Sequence, residues 1–205
     1  MLTRLLPRSL VIDHIFGRGL EKNKAMAYFY FDYRDQDQQK PISFVKSILR
    51  QVAAHRAGIP QPLMSFHERF KRNLAECSMT DLLKVFREVC ATLDKVYVVL
   101  DALDECRSRD HRKEVLRFLN SLDLGITRLF VTSRSHPHDI KQHFAGIEPI
   151  QIQASEADLN TYCNRMMEFS ESPHELVDGP LKDEIATTIS RNAQGMSVVQ
   201  FLCSR

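Results

Sequence analysis

The chain has 205 residues, 43% of them apolar and 26% charged, enough for one domain with a proper core and too apolar to stay disordered. Its formal net charge of +2, with basic and acidic residues interleaved, argues against a nucleic-acid partner. No apolar run reaches the roughly 18 residues of a membrane helix, and five cysteines at wide spacing, with no C-x-x-C pair, predict free thiols in a reducing, cytoplasmic setting.

The first residues, MLTRLLPR, are basic, but Pro7 directly follows Leu5 and Leu6. A targeting segment is therefore discounted. The domain is expected to begin near Ser9. Residues 25–31 (AMAYFYF) read as an aromatic-rich strand leading to Asp32. Pro41 suits a first helical position, and Ile42, Val45, Ile48, Leu49 and Val52 follow at helical spacing. Leu63, Phe66, Phe70 and Leu74 predict a second helix. Leu82, Val85, Phe86, Val89 and Leu93 predict a third, with Ser78 or Thr80 at its start.

Residues 96–100 (VYVVL) form a continuous β-branched run ending at Asp101, and Val115, Leu116, Leu119 and Leu122 mark the next helix. Residues 128–132 (RLFVT) predict another strand. Residues 147–152 (IEPIQI) are weaker, because Pro149 cannot donate to a ladder and suits an edge. Ser155 with Asp158 forms a capping-box pattern, and Leu181, Ile185 and Ile189 carry a further helix ended by Gly195. Residues 196–205 read as the start of a helix that stops in mid-pattern. Apolar strands alternating with helices predict an α/β fold with a parallel sheet covered on both faces. Chemistry in such folds sits at the carboxyl ends of the strands.

The stretch VYVVLDALDEC at 96–106 carries the most chemistry. A buried strand delivers Asp101 to the sheet edge, where a carboxylate can hold hydrated Mg²⁺. Asp104 and Glu105 follow on the next turn, within reach of an attacking water that a carboxylate there could orient or deprotonate. The alternative is that Asp101 caps a helix and the later acids are solvated. In RLFVTSR at 128–134, Arg134 can reach a terminal phosphate through charge-assisted hydrogen bonds. The alternative there is an arginine that neutralises the nearby acids. Arg107, Arg109, Arg112 and Lys113, mixed with Asp110 and Glu114, read as a solvated helix start. His136 and His138 read as a loop pair without further metal ligands.

These two motifs resemble the Walker B and sensor 1 strands of NACHT-type STAND NTPases, and most of all the fungal set similar to the nephrocystin-3-like N-terminal domain. AYFYFDYRD at 27–35, SLVIDHI at 9–15 and RNAQGM at 191–196 resemble further segments of that family, so the likeness spans nearly the whole chain. The resemblance implies a P-loop NTPase-like parallel sheet and a switch in which ATP or GTP with Mg²⁺ gates oligomerisation in signalling. By position, Asp101 becomes the magnesium carboxylate, Asp104 and Glu105 the catalytic acids, and Arg134 the nucleotide-sensing arginine.

The family's G-x-x-x-x-G-K-[ST] loop belongs directly before SLVIDHI, and no Gly-Lys-Ser or Gly-Lys-Thr occurs in the chain. Gly17, Gly19 and Lys22 have another spacing and read as a turn. That loop's backbone N–H groups and lysine cradle the phosphates. The expectation is therefore a core over residues 1–195 missing its N-terminal strand and phosphate loop, with about four strands. Two functions follow. One is an NTPase-family fragment without its own competent nucleotide site, acting as a signalling or interaction module through protein partners or self-association. The other is a working Mg²⁺-dependent ATP or GTP switch whose loop is absent only from this gene model.

Overall fold

The computed structural model describes residues 10–17, 23–36, 39–73, 77–122, 125–134, 137–153 and 197–203, with 155, 157, 158, 161, 165, 181, 184, 185, 187 and 188. The chain divides into two units, residues 1–149 with 200–205, and residues 150–199.

In the first unit, three β-branched or aromatic runs become parallel strands. They are β1 (Lys24–Tyr30), β2 (Lys95–Asp101) and β3 (Thr127–Arg134). The central strand β2 pairs with β1 from Lys24↔Lys95 to Tyr30↔Asp101, and with β3 from Val96↔Thr127 to Leu100↔Val131. Parallel pairing hides both faces, so neither face can be polar along its length. Ala25, Met26, Ala27, Val96, Val98, Val99, Leu100, Leu129 and Val131 are all buried. The expected α/β fold, a parallel sheet flanked by helices, is the fold the chain adopts.

The period-two alternation of β1 sends its side chains to opposite faces. Met26 joins Val99 and Phe130 under Ile12 of helix α1 (Leu10–Gly17), with Tyr28 packed against them. Phe29 and Phe31 instead meet Phe44 of α2 (Pro41–Ala54), at 5.1 and 5.9 Å between ring centroids. Phe44 then stands edge-on to Phe118 of α5 (Arg109–Asn120), and Phe86 of α4 (Met79–Cys90) touches the same ring. Edge-to-face contacts of this kind add to the energy of burial itself.

The helices start where local chemistry predicts. Pro41 takes the first turn of α2. Ser78 and Asp81 close a reciprocal capping box on α4. The Ser108 side chain accepts the His111 N–H at the head of α5. Helices α3 (Gln61–Asn73) and α6 (His138–His143) complete the helices of this unit among the described residues.

In the second unit, Ile150–Gln153 forms strand β4 directly after Pro149. Ser155 and Asp158 exchange backbone-to-side-chain hydrogen bonds at 3.2 and 3.1 Å, as a capping box requires. The apolar pattern at the end of the chain predicts a helix. Instead Ser197–Cys203 (SVVQFLC), of which only residues 197–199 fall in this unit, is a strand, β5, so the described residues hold five strands rather than four. A short run with adjacent β-branched residues cannot be assigned by periodicity, and Val198 and Val199 fit a pleated strand better than a helical turn. RNAQGM and the turn expected at Gly19 and Lys22 lie outside the described residues. No helix among the described residues is long and apolar enough to cross a membrane.

Candidate functional site

Parallel strands deliver their carboxyl ends to one edge, and the polar residues of the three sequence motifs meet there. Asp101 closes β2. Its carboxylate accepts a hydrogen bond from the Thr132 hydroxyl of β3, and that same hydroxyl accepts the Ala102 N–H at 2.9 Å. The Asp101 carbonyl accepts the Phe31 N–H at 3.0 Å. Ala102 has a left-handed backbone, φ 54° and ψ 47°, a region that costs an L-residue roughly 1–2 kcal/mol. The turn persists because Leu103, the next residue, is fully buried. The backbone then makes a short 3-10 turn, Leu103–Glu105.

That turn places its two acids in different settings. The side chain of Asp104 is only 7% exposed. One oxygen accepts the backbone N–H of Arg134 at 2.9 Å, and the other lies 3.5 Å from the Arg134 Nε. Glu105 is more open. It accepts the Tyr33 N–H at 3.1 Å and stands 3.9 Å from the Arg134 guanidinium. All four residues singled out in the sequence therefore converge. Asp104, Glu105 and Arg134 form one cluster, and Asp101 is held beside it through Thr132.

Two glutamines organise the loop after β1, and the sequence pattern does not reveal them. Gln39, which is buried, accepts the Asp32 N–H at 3.2 Å and donates to the Asp32 carbonyl at 2.8 Å. Gln36 donates to the carbonyls of Asp32 and Glu105, both at 3.0 Å, and accepts the Arg107 N–H at 3.0 Å. A glutamine amide has donors and acceptor for this double bridge, but nothing local marks which glutamine will make it. The guanidinia of Arg34 and Arg107 stand 5.6 and 5.2 Å from the centre of the Tyr33 ring. Hydrogen bonds from Arg34 hold the Asp32 carboxyl down at about 2.

The expectation of a fully solvated basic run at 107–113 needs correction. Arg112 is 13% exposed and makes a two-bonded pair with Asp139, at 2.8 and 3.2 Å, while donating to the Cys106 carbonyl at 2.6 Å. A guanidinium can satisfy three acceptors in one plane, which permits the burial. Burial works to raise the Asp139 carboxyl, but the Arg112 hydrogen bonds and charge outweigh it and hold it below the usual range. His138 opens α6, and His136 lies outside the described residues.

Among the described residues no group of three or more His, Cys, Asp or Glu side chains is placed to hold a metal ion. For a magnesium–nucleotide group the fit is therefore partial. Asp101 supplies one carboxylate beside the Thr132 hydroxyl, while Asp104 and Glu105 already accept internal donors. Within the described part of the site no buried side-chain nitrogen or oxygen lacks a partner.

A family model described as nephrocystin 3, N-terminal, matches residues 8–134. The matched span runs from α1 to the end of β3 and contains all four candidate residues. No curated protein and no solved structure matches the chain.

Proposed function

The chain belongs to the nephrocystin 3 N-terminal family, and on that premise we propose that its parallel sheet carries the acidic half of a NACHT-type STAND NTPase site. In this polypeptide the sheet serves as a cytoplasmic interaction or signalling module, acting through protein partners or self-association, rather than as a self-sufficient hydrolase. The observation behind this reading is the state of Asp104. It stands where the resemblance puts water activation, yet its carboxylate is nearly buried and faces the backbone and guanidinium of Arg134. A carboxylate whose two oxygens already face an amide N–H and a guanidinium must give up one of these partners before it can orient a water.

A second reading rests on Asp101 and Arg134. Asp101 ends the central strand beside a hydroxyl, the placement a magnesium carboxylate needs. Arg134 is 53% exposed, so its guanidinium can exchange the two acids for a phosphate. In that reading Asp101 holds Mg²⁺ with ATP or GTP, and release of Arg134 frees Asp104 and Glu105 to orient water.

The test is Mg²⁺-dependent binding of labelled ATP and GTP to the purified chain, with Asp101→Ala as control and circular dichroism to verify folding. No binding up to millimolar nucleotide is the expected result. Saturable binding that Asp101→Ala abolishes overturns the interaction-module reading in favour of the switch.

A further inference from the structure

The sequence of α3, QPLMSFHERFKRN, places Leu63, Phe66 and Phe70 at helical spacing on one face. Such a face is normally buried, yet no described residue of α3 is. Its polar side is tied to α4 by Arg69, which lies 3.3 Å from Asp81 and also covers the rings of Phe66 and Phe70. Between α3 and the outer side of α2 an open cleft of about 1090 Å³ remains. Leu49, Leu63, Phe66 and Phe70 line it, and Ile59 and Met64 stand at its mouth, 67% and 43% exposed.

The charges of the cleft are one-sided. Lys46 and Arg50, one helical turn apart on α2, stand over it with Arg56, against a single acid, Glu68, among the described residues. Neither Lys46 nor Arg50 pairs with a carboxylate among the described residues, and both are exposed. An apolar floor with basic flanks selects an apolar segment with acidic flanks.

We propose that the cleft between α2 and α3 is a docking groove for an acidic amphipathic helix of a partner protein. The floor would take apolar anchors at i, i+3, i+4 and i+7, and Lys46 and Arg50 would meet carboxylates beside them. At about 1090 Å³ the cleft lies at the top of the range of small-ligand sites. Its concavity suits a rod about 10 Å across better than a flat bilayer surface. A second copy docking through this same face would set two basic-flanked patches against each other, a like-charge contact overall. The proposal goes beyond the nucleotide question and does not depend on it, since none of these residues lies in the acidic cluster.

The experiment uses the full chain and two fluorescent peptides of about 18 residues, long enough to form a helix on binding. Both carry leucines at i, i+3, i+4 and i+7. One has glutamate flanks and the other lysine flanks. Anisotropy should show saturable binding of the glutamate peptide in roughly the micromolar range, and binding of the lysine peptide about tenfold weaker or less. Met64→Glu, and independently Ile59→Glu, should each weaken the glutamate peptide about tenfold. Lys46→Glu with Arg50→Glu should reverse the preference between the peptides. These positions are exposed, and thermal melts confirm that each variant folds. Equal binding of both peptides, no binding by the glutamate peptide, or binding indifferent to these substitutions overturns the proposal. So does co-sedimentation with phosphatidylserine vesicles that Met64→Glu abolishes and the glutamate peptide fails to compete, which would assign the face to a membrane.

Discussion

Asp104 and Arg134 lie thirty residues apart in sequence and are joined by a hydrogen bond of 2.9 Å from the Arg134 backbone N–H to the Asp104 carboxylate. The ion pair between their side chains is longer, at 3.5 Å, and Arg134 is half exposed, so the charge attraction is largely screened. The amide bond to a nearly buried carboxylate is the stronger tie. It clamps the turn after β2 to the end of β3.

Asp104→Ala should accordingly lower stability by about 0.5–1.5 kcal/mol, the usual net contribution of one hydrogen bond. Asp104→Asn should cost clearly less, because its amide oxygen can still accept the Arg134 N–H. Urea midpoints compare the two. Equal losses would show that the ion pair, rather than the amide bond, is the tie.

Thr132→Val should cost about 1–3 kcal/mol, although it preserves shape. It leaves the Ala102 N–H without its acceptor and removes the donor to Asp101. Thr132→Ser should restore most of the loss. Thermal melts of the three proteins read the difference.

Acid should loosen the loop after β1. The Asp32 carboxyl titrates near 2 in the fold against an ordinary 3.8, chiefly through hydrogen bonds from Arg34. A depressed folded value means stabilisation that is complete above 3.8 and lost as pH falls towards 2. Asp32→Asn should therefore flatten the fall in stability across that window. The pair is exposed, so high salt should shrink the difference between wild type and variant. An unchanged acid limb in the variant at low salt would remove the Asp32–Arg34 pair as a contributor.

Thiol chemistry should follow burial. Burial pushes the Cys90 thiol up to about 12, and it also raises Cys106. Cys77 is raised too but stands partly exposed. Alkylation of the native chain at about pH 8, read peptide by peptide, should modify Cys77 well before Cys90 and Cys106. Addition of denaturant should equalise the three. Early labelling of Cys90 would mean that α4 opens far more readily than its packing implies.

The strands of the sheet could be read from VYVVL, RLFVT and AMAYFYF because strand preference comes from runs of neighbouring residues. The capping box at Ser155 was legible for the same reason, as both partners lie within one turn, whereas the sequence does not choose between Ser78 and Thr80 at the start of α4, and the structure places Ser78 there. The gathering of Asp101, Asp104, Glu105 and Arg134 at one edge was legible too, since parallel strands must end on the same side. The sequence by itself thus determined the sheet, its polar edge and the family. Only the tertiary structure decided which of those acids are already engaged, that Gln36 and Gln39 bind the loop after β1, that Arg112 is buried against Asp139 rather than solvated, and that Ser197–Cys203 is a strand. It alone shows that, among the described residues, the apolar face of α3 is only half-buried. The physical reason is range. Periodicity and capping act over a few residues, whereas the partner of a carboxylate or an arginine is set by distances between segments that are far apart in the chain, and those exist only once the strands have paired.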